Sequence, residues 1–174
     1  MKKLREGQRG FTLIELLIAI VIAGLITGSI TFAIMQLLTI NTRASNHMVA
    51  VRQVQQAGKE VSKDTLQAQN VTVNNATGSR GFPLTLNWTV NNSTHGVIYS
   101  LNGTGDLRTL QRKYYFNSAL NSTTTVAEYI ALNQTTCAPP GPLPRRAALN
   151  FTVTATVGTQ SETRVYEVQP RPGS

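Results

Sequence analysis

Hydrophobic and polar positions follow three different rules along this chain. From Leu16 to Thr42 no side chain is charged, and Leu16 to Ile40 makes 25 mostly apolar residues. A helix of that length, rising about 1.5 Å per residue, crosses a hydrocarbon layer of about 30 Å with some tilt. Beyond Ile40 the pattern becomes a stripe. Ala44, Met48, Val51, Val54, Gly58, Val61, Thr65 and Ala68 recur at three- and four-residue steps, with Arg52, Lys59, Lys63 and Asp64 off it and His47 beside it. The spacing predicts that the helix continues to about residue 69 and lays its apolar face on a sheet.

After Asn70 the period shortens to two. Leu84, Leu86, Trp88 and Val90 alternate with Thr85, Asn87 and Thr89, a half-buried strand with Trp88 toward the core. Asn91 to Gly96 reads as a turn, Val97 to Leu101 as a strand, Asn102 to Asp106 as a turn and Leu107 to Phe116 as a third strand, together an antiparallel meander. A further strand is predicted near Val126 to Leu132. The segment TTCAPPGPLPRR that follows is too rich in proline for regular structure. In the last hairpin, Ala147, Leu149, Phe151, Val153, Ala155 and Val157 alternate with polar residues, and Arg164 to Val168 returns after Gly158-Thr159-Gln160. The predicted class is α+β, one long N-terminal helix packed on an antiparallel β-sheet. Its divisions are a basic leader at 1–10, an apolar helix at 11–42, its amphipathic continuation at 43–69 and a β domain at 70–174.

Charge changes the picture at the N-terminus. Lys2, Lys3, Arg5 and Arg9 against Glu6 hold a net +3 of the chain's +8, leaving +5 scattered over the rest. The basic flank precedes the apolar run and Arg43 alone follows it. The positive-inside bias then places the N-terminus in the cytoplasm, with everything after residue 42 outside. An asparagine- and threonine-rich exterior with only 14% charged residues suits an exported protein. Nine N-x-[ST] triplets occur, most of them a by-product of that composition, and the single Cys137 excludes an intrachain disulfide.

One residue breaks the apolar run. Glu15 lies within its first turns, where a carboxylate is unfavourable, and a secretory signal ending at a small-residue cleavage site does not account for it. If the chain were cut between Gly10 and Phe11, the new α-amino group would stand one helical turn from Glu15. The Glu15 of an incoming neighbour, paired with the Phe11 amine of a subunit already in place, would favour one axial offset between parallel helices.

The string Gly10-Phe11-Thr12-Leu13-Ile14-Glu15-Leu16-Leu17-Ile18-Ala19, behind its basic leader, resembles the processing and assembly motif of type IV pilins and of the pseudopilins of type II secretion. The resemblance implies a pilin-like fold, cleavage after Gly10 by a prepilin peptidase, methylation of Phe11 as the new N-terminus, and Glu15 as the assembly residue. It implies other pilins or pseudopilins, an inner-membrane platform protein and an assembly ATPase as partners, and a path from the inner membrane into an extracytoplasmic filament. The segment EVSKDTLQAQNV and the run from Tyr99 to Leu110-Gln111-Arg112 look like the minor pseudopilins of the J type. Unlike many major pilins, the chain has no proline before Pro83, and Phe32 stands near the usual place.

Enzymatic chemistry has no candidate. The carboxylates after residue 42 and the two histidines, His47 and His95, show no catalytic spacing, and no phosphate loop, zinc pattern or nucleophile elbow appears. Neither a cofactor nor a metal is expected; Glu162 and Glu167, near the C-terminus, read as a solvated face rather than a calcium loop. The alternative to a structural filament subunit is a pilus-tip adhesion or DNA-binding subunit, in which Arg108, Arg112, Lys113, Arg145 and Arg146 would meet phosphates beside Tyr114, Tyr115 and Phe116.

Overall fold

With no proline to interrupt it, the apolar run and the stripe form a single helix, α1, Leu13–Gln67. The computed structural model describes residues 11–138 and 148–171. It divides between Thr42 and Arg43 into two compact units, with α1 continuous through the division.

In the second unit α1 buries Ala50, Val54, Ala57, Gly58, Val61, Asp64 and Thr65. This face is turned from the expected one: Ala44 and Met48 are exposed, Val51 is half-buried, and Ala50 and Ala57 take their place. The reason is close approach. The Tyr166 ring lies where a Cβ on Gly58 would be, 2.0 Å from it, and its hydroxyl donates to Val54 O at 3.3 Å. Small side chains are what such a contact admits.

The sheet begins as a five-strand antiparallel meander: β1 Asn70–Asn74, β2 Gly81–Val90, β3 Ser93–Asn102, β4 Leu107–Phe116 and β5 Ala119–Ala131. A short 3₁₀ turn, Leu132–Gln134, and β6 Thr136–Ala138 follow, then the hairpin of β7 Leu149–Val157 and β8 Gln160–Val168. One edge of β7 carries β8; the other takes β5, at Ile130 against Ala155, and β6 further along. β5 has more residues than β4 has partners for, with register shifts at three places, and such bulges bend and twist a sheet. Tyr99, Phe151, Leu84, Leu86, Leu110, Ile130 and Leu149 fill the core between this curled sheet and α1, and Trp88 joins them as expected.

Several boundaries differ from expectation for one reason. Asn91-Asn92 and Asn117-Ser118 all have positive φ, so each reversal needs two residues and the strands run longer. Ser93 to Gly96 therefore belongs to β3 rather than a turn, and β5 starts at Ala119 instead of Val126. β8 likewise starts at Gln160, directly after Gly158-Thr159. The proline-rich segment does hold regular structure at β6, whose register with β7 pairs Cys137 with Phe151. There Cys137 N donates to Arg80 O at 2.8 Å, and Gly81, at φ +87°, leaves the only room its carbonyl has: a Cβ would sit 1.8 Å from Cys137 O.

Candidate functional site

The N-terminus of α1 is built by Thr12 and Glu15. Glu15 Oε2 accepts from the backbone N–H and from the hydroxyl of Thr12, each at 2.9 Å, while Thr12 Oγ1 accepts from Glu15 N at 3.4 Å. This reciprocal arrangement is a capping box, and it places the carboxylate at the end of the helix where unpaired N–H groups concentrate positive charge. Within one chain, then, the partner of Glu15 is Thr12. The T-x-x-E spacing was legible as a helix start, and attention to the carboxylate's charge alone misses it. Phe11 precedes the box and is 84% exposed; Gly10 and the whole basic leader, residues 1–10, lie outside the described residues.

Every residue from Phe11 to Ser45 is exposed, although from Leu16 to Ile40 most are apolar and none is charged. The few hydroxyls in this stretch do not disturb its apolar surface. Thr27, Ser29, Thr31, Thr39 and Thr42 each donate to the carbonyl four residues earlier, at 2.8 to 3.0 Å. A helix with its backbone and hydroxyls satisfied and mostly apolar side chains all round needs lipid or other apolar helices as surroundings. It is long and apolar enough to cross a membrane.

A second cluster lies where the amphipathic part of α1 meets β3 and β4. Asp64, which the periodicity sets off the apolar stripe, is 2% exposed. Its Oδ2 accepts from the Tyr99 hydroxyl at 2.5 Å and from Arg112 Nε at 2.6 Å, and its Oδ1 from Arg112 Nη2 at 3.1 Å. The hydrogen bonds to Asp64 hold the Arg112 guanidinium protonated even more firmly than usual. Burial, followed by the charge of Asp64, pushes the Tyr99 phenol well above its ordinary value. Arg112 also lies over the Tyr114 ring, 5.4 Å from its centroid, and Tyr114 Oη meets His95 Nδ1 at 2.7 Å. His95 stacks on Trp88 with ring centroids 5.5 Å apart. This chain of contacts fastens helix to sheet.

That fastening removes most of the expected basic surface. Arg112 is engaged by Asp64, and Arg108 is half-buried with its Nε unpartnered. Lys113 points to the opposite face of β4 by strand alternation. The three do not form one patch, and Arg145 and Arg146 lie outside the described residues. Of the neighbouring aromatics, Tyr114 packs on the core while Phe116 is 40% exposed. Glu162 pairs with Arg164 at 3.2 Å. The buried thiol of Cys137 is pushed up to about 12 by desolvation. Among the described residues no three His, Cys, Asp or Glu side chains are grouped to hold a metal ion.

Residues 5–31 match the model of the prokaryotic N-terminal methylation motif. No curated protein and no solved structure is significantly similar to the chain.

Proposed function

We propose, from the premise that this chain belongs with the type IV pilins and pseudopilins, that it is a minor subunit trimmed after Gly10, methylated on Phe11 and built into a helical filament. The N-terminal motif supports a subunit processed by prepilin peptidase, and the fold is pilin-like: one long apolar helix on a curled antiparallel sheet. The carrying observation is the stretch from Leu16 to Ile40, uncharged, mostly apolar and exposed on every side, with its hydroxyls bonded back to the helix.

The mechanism is physical rather than catalytic. While the subunit waits in the inner membrane, lipid covers this stretch, with the leader on the cytoplasmic side and residues after 42 outside. In the filament the neighbouring helices cover it instead, so apolar burial changes little on extraction and supplies little specificity of its own. Glu15 supplies that specificity. Cleavage leaves Phe11 with a charged amine, and a helix that offers its carboxylate to that amine on the next subunit gains an ion pair in apolar surroundings at one axial offset only. Thr12 keeps the carboxylate partnered until then. The family implies a platform protein and an assembly ATPase to drive extraction, and a J-type minor pseudopilin is the role within it that we assign.

Two measurements test this reading. Mass spectrometry of the protein from its native membrane should find Phe11 as a methylated N-terminus; an intact leader or a cut at another bond overturns it. Glu15→Ala should insert and be cleaved as the parent is, yet drop out of sheared filaments. Equal incorporation would show that Glu15 does not set the register.

A further inference from the structure

The face of the sheet turned away from the core carries a gap with a definite chemistry. Asn70, Asn87, Gly96 and Tyr115 form one straight cross-strand row over β1, β2, β3 and β4. Side chains in such a row stand about 5 Å apart, so a glycine in it is a missing tooth. A Cβ on Gly96 would meet Asn87 Oδ1 at 3.0 Å and come into ordinary contact with Tyr115 Cβ at 3.7 Å, so the Asn87 amide leans toward Gly96 and walls one side of the space. The result is a groove of about 500 Å³, within the ordinary size range of small-ligand sites. Glycine inside a strand commonly marks the close approach of a ligand or another backbone.

The lining selects among ligands. It contains no Asp, Glu, Lys or Arg; Lys113 lies one row away and does not reach it. Without carboxylates there is nothing for a cation, and without Lys or Arg there is no fixed positive charge for phosphate; the ring of His95, which also borders the groove, is taken up by Tyr114 and Trp88. Amides and hydroxyls stand beside apolar surface from Ile98 and the Tyr115 ring, a mixture that suits a ligand with both polar and apolar faces. Gln69 spends its carbonyl on Thr89 N at 3.1 Å and keeps its amide N–H₂ for another acceptor. Half-buried Tyr115 offers a flat ring at one wall.

The geometry points to a binding site for a short uncharged carbohydrate, one or two sugar units, seated over Gly96 with an apolar sugar face on the Tyr115 ring and its hydroxyls on the amides of Gln69, Asn70 and Asn87. A sugar has the alternation this groove has: hydroxyls at its rim, C–H groups on its faces. The site lies on the globular part and does not depend on filament assembly.

The test is saturation-transfer NMR on the full chain in phospholipid nanodiscs, free of glycoside detergent, with lactose, cellobiose and N,N′-diacetylchitobiose as probes. At least one should bind saturably, with a dissociation constant near 1 mM, a value of order-of-magnitude precision. Tyr115→Ala and Gly96→Val should each weaken it about tenfold or more, while Lys113→Ala leaves it unchanged. Should Gly96→Val fail to fold, the exposed Asn87→Leu replaces it with the same expected loss. Glu15→Ala must bind sugar as the parent does, and Tyr115→Ala must still enter filaments, which separates this site from assembly. No saturable signal from any of the three sugars, or binding indifferent to both groove variants, overturns the proposal.

Discussion

The two halves of α1 share one hydrogen-bonded backbone and are built on opposite rules. Up to Ile40 every described residue is exposed and most are apolar; from Ala50 to Thr65 a narrow face is buried, and that face includes a charge and a glycine. Between its capped end and Ile40 the first half carries no charge, and nothing among the described residues surrounds it. The second half can bury Asp64 because the sheet brings it two donors. The difference teaches that apolarity marks the part of this helix whose surroundings come from elsewhere, while its tertiary anchoring rests on small residues and one satisfied carboxylate.

The sharpest way to break this comparison is to leave Asp64 alone in the core. Arg112→Met should destabilise the globular part by about 3 kcal/mol, the low end for a broken buried pair because the guanidinium reaches solvent. Pairing it with Asp64→Leu should recover part of the loss, as denaturant titration of both variants would reveal; no recovery would mean that the charge is not the source. A charge at the middle of the other half should act through the membrane instead. Ile26→Asp is expected to cost about 2.5–3.5 kcal/mol in insertion and leave the melting temperature of the globular part where it was. Membrane fractionation beside calorimetry separates the two effects.

One substitution made in both halves sharpens the contrast further. Gly58→Ala puts a methyl into the Tyr166 ring and should destabilise by about 2 kcal/mol, overpacking outweighing the better helix propensity of alanine. Gly24→Ala and Gly28→Ala meet nothing within 4 Å and should leave stability unchanged or raise it by up to about 1 kcal/mol through helix propensity. If all three behave alike, close packing at Gly58 is not what distinguishes the second half.

The smallest effect at neutral pH lies in the alkaline limb. Tyr99 and Cys137 both have folded values above their unfolded ones, so the folded state keeps its protons longer. Their stabilising contribution is complete below about pH 8.5, where both are protonated in either state, and is lost as pH rises through the unfolded thiol and phenol values and on toward the folded ones. Stability should therefore fall from about pH 9 upward, first through Cys137 and then through Tyr99. Cys137→Ala should remove the earlier part of the slope and Tyr99→Phe the later. A flat profile between pH 8 and 11 in the parent protein would contradict the burial of both groups.

How much of this was readable beforehand depends on the range of the interaction. The helix, its two-part character, the Leu107–Phe116 strand and the buried alternation of β7 all come from periods of 3.6 and 2, which a local window contains. The N-terminal motif is likewise a local string. Hairpin lengths are not legible where asparagine tolerates positive φ, and the start of β5 is hidden because its first seven residues are exposed on both faces and show no alternation of burial. β6 has no local signature because the edge of β7 that pairs it belongs to a strand beyond a proline-rich segment.

Local pattern was thus sufficient for the class of fold, the apolar span and the motif at its head, since each is written in residues a few positions apart. The environment of Asp64 was decided by the fold alone: its partners lie 35 and 48 residues away, and a lone aspartate in a helix reads as solvated until a sheet places a phenol and a guanidinium over it. The groove over Gly96 has the same origin, for only strand register sets Asn70, Asn87, Gly96 and Tyr115 side by side.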